Sequence, residues 1–76
     1  MNFVAVLCYT RKSFDQWYDD LEIKKREKRY KIKYICINSM ANAVGRHYIN
    51  IVRLVEWWKM ENADLVEKYI DDHLIK

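Results

Sequence analysis

Apolar residues along this chain form two kinds of pattern: continuous runs that suit strands and periodic stripes that suit helices. Phe3-Val4-Ala5-Val6-Leu7-Cys8-Tyr9 is apolar at every position. A short run that fills both alternating faces predicts a strand covered on both sides. Thr10-Arg11-Lys12-Ser13 follows, and Ser13 with Gln16 has the spacing of a capping box at a helix start. Phe14, Trp17, Tyr18 and Leu21 then share one stripe, while Asp15, Asp19 and Asp20 sit in early turns where carboxylates suit the helix dipole. This predicts a single helix running to about Lys28.

Tyr30 to Asn38 begins by alternating apolar residues with lysine and then turns wholly apolar. A strand whose early half lies exposed at a sheet edge reads this way. Ser39 to Gly45 suits a short helix, with Ser39 as N-cap and the one glycine of the chain as its stop. Tyr48 to Val55 is rich in β-branched residues and predicts a third strand, with a helix over 46–60 as the alternative. Asn62 can cap a last helix whose Leu65, Val66, Tyr69, Ile70 and Leu74 recur at helical spacing. The order β-α-β-α-β-α predicts an α/β fold: one compact domain over residues 1–76 with a small, three-stranded, mostly parallel sheet. Right-handed crossovers around the fully apolar first strand give the spatial order 2-1-3.

Composition narrows the function classes. The chain has 76 residues, 51% hydrophobic, with one glycine and no proline, which excludes a disordered, collagen-like or loop-rich disulfide chain. So short a chain has no room for a cofactor domain beside a substrate domain. The net charge of +3 is unevenly spread, since residues 1–53 are net basic and residues 54–76 net acidic. Such a dipole predicts one face for an anionic partner. Cys8 and Cys36 lie in apolar runs and read as small buried hydrophobes in a reducing, cytoplasmic setting. No apolar run nears the roughly 20 residues of a membrane span, and the start lacks the pattern of a signal peptide.

Three groups of residues are candidates for binding. Thr10, Arg11, Lys12 and Ser13 would lie at the carboxyl end of the first strand and the N-terminus of the first helix, where an anion is favoured, with Arg46 as a further contact. Lys12-Ser13 before a helix resembles the close of a Walker A loop, and the order of elements resembles one half of a RecA-like nucleotide-binding fold. Val6 and Arg11 stand where that loop needs glycine, so the resemblance implies a degenerate phosphate site without ATP hydrolysis. The second group is the run Lys24, Lys25, Arg26, Lys28, Arg29, Lys31 and Lys33, in which seven of ten residues are basic, with Tyr30 and Tyr34 able to stack on bases. The same residues also serve a helix dipole and protect a strand edge. The third group is Trp57, Trp58 and Met60, where one tryptophan can enter the core while the other anchors a protein interface.

Neither metal nor nucleophilic chemistry is indicated. Cys8, Cys36, His47 and His73 lack the spacing of a structural zinc site, and His47 has only a loose adjacency to Ser39. No cofactor is implied. The sequence therefore reads as a non-enzymatic binding module, monomeric or homodimeric, that modulates another macromolecule. A protein that handles nucleic acid is the leading partner, and small chains of this type are often phage- or virus-encoded inhibitors of host or defence factors. The alternatives are direct nucleic-acid binding through residues 24–33 and an anion- or nucleotide-binding regulatory domain built on residues 10–13.

Overall fold

The computed structural model describes residues 2–75. Its sheet holds β1 (Asn2–Leu7), β2 (Ile32–Ile37) and β3 (Tyr48–Arg53) in the order β2-β1-β3, with both pairings parallel. The helices are α1 (Arg11–Tyr18), α2 (Leu21–Tyr30), α3 (Met40–Ala43) and α4 (Ala63–Asp72), with a 3₁₀ turn at Trp57–Lys59. The α/β class, the strand order and the central place of the first strand agree with the apolar pattern. Val4 to Cys8 are all buried because the two faces of β1 serve two different cores. Val4, Val6 and Cys8 pack with Phe14 and Tyr34 under α1. Ala5 and Leu7 pack with Ile37, Tyr48, Val66 and Ile70 under α4. Burying each of the larger of these side chains contributes roughly 1.5–3 kcal/mol, so the apolar run of β1 can be satisfied only by covering both faces.

The first helix departs from expectation. The stretch 13–28 is two helices, because Asp19 closes α1 and Asp20 turns extended (φ −63°, ψ 128°) to start α2. The Asp20 carboxylate accepts the Glu22 N–H at 2.8 Å, a local bond that aspartate makes more readily at a cap than within a helix. Ser13 is not the N-cap of α1. Thr10 fills that place, its Oγ1 accepting the Ser13 N–H at 3.2 Å. The break also leaves Leu21 exposed, although Phe14, Trp17 and Tyr18 pack as the stripe predicts.

Boundaries elsewhere shift for local reasons. α2 runs to Tyr30 and ends on Lys31 in the left-handed region (φ 52°), so β2 begins two residues later than expected, at Ile32. Ser39 occupies the N-cap of α3, but its hydroxyl donates to Asn42 Oδ1 at 3.1 Å and caps no backbone group. Gly45 adopts φ +87° just past that helix, where a β-carbon would be strained. β3 ends at Arg53, and Asn62 opens α4 without a side-chain cap bond. Leu65 points out of α4 while Val66 and Ile70 are fully buried. Tyr48, wholly buried in β3, donates its hydroxyl proton to the Ala43 carbonyl at 2.6 Å.

Glu27 stands out within the basic stretch of α2. One carboxylate oxygen accepts the Tyr18 hydroxyl at 2.6 Å and the other accepts the Tyr34 backbone N–H at 3.0 Å. This side chain therefore ties α1, α2 and β2 together. Glu27→Ala leaves the Tyr34 N–H without its partner and is expected to lower stability by about 1–3 kcal/mol, as hydrogen bonds to a charged group do. Urea unfolding is the measurement, and Glu27→Gln, which keeps one acceptor, should lose less.

Candidate functional site

Backbone pairing defines which part of β2 is open. Cys8 donates its N–H to the Ile37 carbonyl at 3.1 Å, so Ile37 faces β1 and, by the alternation of a parallel ladder, so do Ile35 and Lys33. Tyr34, Cys36 and Asn38 then direct their backbone groups to the outer edge. Two of these are covered: Glu27 takes the Tyr34 N–H, and Asn42 Oδ1 takes the Asn38 N–H at 3.3 Å. Between those caps the edge at Cys36 opens into a surface groove.

That groove has a volume of about 330 Å³ and is lined by Arg11 and Phe14 of α1, Lys33 and Cys36 of β2, and Asn42 and Arg46 beside α3. Three cationic side chains thus reach it from three separate segments, and no carboxylate lines it among the described residues. Arg46 is held in place by a bond from Nη1 to the Asn42 carbonyl at 2.9 Å and by stacking over the Phe3 ring at 5.8 Å. Arg11 pairs with Asp15 at 3.1 Å on the solvent side. So exposed a pair is weak, and an incoming anion can compete for the guanidinium. The arrangement suits a carboxylate or phosphate, since planar guanidinium groups present paired donors to either.

The sequence-derived anion candidates divide here. Arg11 and Arg46 both line the groove, and Lys33 joins them from the basic run. Thr10, Lys12 and Ser13 do not line it. The Thr10 and Ser13 hydroxyls bond each other at 3.1 Å, and Thr10 already occupies the Ser13 N–H, so these groups are engaged within the first turn of α1. The groove consequently lies along the edge of β2 and not at the end of β1.

The basic run is exposed at all seven positions. Lys24, Lys25, Arg26, Lys28 and Arg29 ride on α2, Lys31 is its C-cap, and Lys33 belongs to β2. Some of this charge is locally engaged: Lys24 lies 3.8 Å from Asp19, and Arg29 stacks on Tyr30 at 5.4 Å. Lys28 and Arg29 stand in the last turn, where they favour the helix dipole. Met60 corrects the interface candidate, being buried against Ala63 and Val66 in the core under α4. Trp57 packs against that same core, and Trp58 points outward, 60% exposed. His47 stacks toward His73, with ring centroids 5.6 Å apart, and not toward Ser39. No group of three or more metal-ligating side chains comes together among the described residues. No helix is long and apolar enough to cross a membrane among those residues.

Sequence reasoning missed one contact. Cys8 and Cys36 are free thiols with Sγ atoms 3.4 Å apart. Their separation in sequence hides this, and only the pairing of Val6 with Cys36 brings them to one face. The Cys8 thiol is pushed up from 9.0 to about 12, first by burial and then by the neighbouring Cys36 thiol. Burial acts in the same direction on the Tyr48 hydroxyl. Above pH 9 the unfolded chain ionises at Cys8 while the folded chain holds the proton, so the unfolded state binds fewer protons and stability falls as pH rises toward 12. The slope from one such group is at most ~1.4 kcal/mol per pH unit. Urea midpoints measured from neutral to alkaline pH should drop in this window, and Cys8→Ala should flatten the drop while lowering stability at neutral pH.

No known protein family matches the chain, and no solved structure matches it. A stretch of 27 residues, 36% of this chain, is 52% identical to a "Probable cyclic AMP-AMP-GMP nucleotide synthase" of Salmonella paratyphi B, and it spans 7% of that protein.

Proposed function

We propose that the chain is a small non-enzymatic binding module that engages and modulates a protein partner, taking an acidic segment of that partner into the groove beside β2. The observation that carries this reading is the convergence of Arg11, Lys33 and Arg46 on one open groove that no carboxylate lines among the described residues. The groove is shallow, and its open form suits an extended chain better than a reaction that must exclude water. Exposed backbone at Cys36 offers such a segment a hydrogen-bonding edge, in the manner of strand addition. Trp58, exposed in the 3₁₀ turn after β3, supplies a separate aromatic anchor. A partner that handles nucleic acid would in addition meet the acidic face of α4, where Asp64, Glu67, Asp71 and Asp72 lie.

A second reading takes a nucleotide in the same groove. The short similarity to a nucleotide synthase favours it, and guanidinium groups bind phosphate as well as carboxylate. Fluorescence anisotropy separates the two. A labelled peptide of alternating glutamate and valine should bind at about 50 mM salt and weaken as salt rises. Arg11→Glu with Lys33→Glu should weaken it at least roughly tenfold, the loss expected for two charge-assisted contacts. Binding left unchanged by that pair of reversals overturns the groove as the site. AMP or GMP displacing the peptide would transfer the site to the nucleotide reading. Binding of single-stranded DNA that is lost on reversing Lys24, Lys25 and Arg26 would transfer function to the basic face of α2.

A further inference from the structure

We propose that Cys8 and Cys36 form a thiol pair that closes reversibly to an intramolecular disulfide when the protein meets a hydroperoxide. Nothing in the groove's anion chemistry requires these two residues, and their placement has its own logic. They are the two cysteines of the chain, and their Sγ atoms lie 3.4 Å apart across neighbouring strands. A disulfide bond is about 2.05 Å long, so closure needs the sulfurs to approach by roughly 1.4 Å, and because Cys8 stands diagonally to Cys36 across the ladder the strand ends must draw together as it forms. The chain between them carries all of α1 and α2, and closure would link the end of β1 to the edge strand that these helices cover.

The two thiols differ in a way that assigns their roles. Cys36 is half-buried and opens onto the groove, where peroxide can reach it. Cys8 is fully buried, donates weakly to the Ile37 carbonyl at 3.8 Å, and is kept protonated by its surroundings. Arg11 lines the same groove as Cys36, and its charge opposes in part the burial that keeps the Cys8 proton in place. The sequence of bonds follows. The Cys36 thiolate attacks one peroxide oxygen, the O–O bond breaks, and hydroxide leaves to become water on taking up a proton. Cys36 is then a sulfenic acid. The Cys8 sulfur attacks the Cys36 sulfur, the S–O bond breaks, and the departing hydroxide carries away the Cys8 proton as a second water. Overall the two thiols lose two electrons and two protons, and one hydrogen peroxide is reduced to two waters.

The test uses the full chain, treated with hydrogen peroxide in slight excess, then alkylated and weighed intact. The expected result is a monomer lighter by two hydrogens that accepts no alkyl group, with a cross-linked Cys8–Cys36 peptide that dithiothreitol releases. Cys8→Ser should stop at an oxidised Cys36, detectable with a sulfenic-acid trap, and Cys36→Ser should leave Cys8 as a free thiol at the same dose. The proposal fails if the treated wild-type chain keeps both thiols, carries sulfinic acid on Cys36 beside a free Cys8, or cross-links only between molecules. Because the wild-type mass alone decides between these outcomes, the inference stays testable even if a serine variant does not fold.

Discussion

The structure rests on the burial of β1. Five consecutive residues, Val4 to Cys8, are removed from water, and they point alternately to the two faces of the sheet. Backbone donors and acceptors in that strand have no solvent to turn to, so a neighbour must pair with each side of it. Both neighbours run parallel to β1, and parallel neighbours require crossover segments long enough to carry helices. The layered arrangement follows: α1 closes the face of Val4, Val6 and Cys8, and α4 closes the face of Ala5 and Leu7.

Side chains then manage the edges that a sheet of three strands leaves open. On the β2 side, Glu27 and Asn42 each take one outward N–H. On the β3 side the segment after α4 returns to pair with Tyr48, whose N–H and C=O bond to His73 and Ile75. On the β2 edge a short stretch at Cys36 remains open between these caps, and Arg11, Lys33 and Arg46 line the groove beside it. An edge capped at both ends and flanked by charge resists pairing with another copy of the sheet. The same features give an anionic segment a place defined in position and sign, which links the local hydrogen-bonding problem to the proposed binding role.

Charge is divided in the same layered way. The basic residues of α2 stand beside the face that α1 covers, and the acids of α4 stand on the opposite face. The charge difference between the two halves of the sequence has therefore become a difference across the sheet. Such a field favours anionic groups on the β2 side and cationic groups at α4. Arg53 and Glu67, paired at 2.7 Å between β3 and α4, mark one of the places where the two signs meet.

Several features follow from the sequence alone. A short run apolar at every position suits a strand with two covered faces, and together with the alternation of strands and helices and right-handed crossovers it made the fold class, the strand order and the central strand legible. The stripes of α1 and α4 were legible for the same reason, since burial imposes its period on the residues. Helix ends were less so. Thr10 takes the cap of α1 that Ser13 was expected to fill, and Asp20 starts a second helix, both through local side-chain bonds that several nearby residues could make. Arg11 and Arg46 could be singled out as candidates from their places in the order of elements. Their meeting with Lys33, the exclusion of Thr10 and Ser13, and the contact of Cys8 with Cys36 depend on strand register and on where the crossovers land. Residues far apart in the chain become neighbours only when the sheet is assembled, and for that reason the tertiary structure alone decided the site.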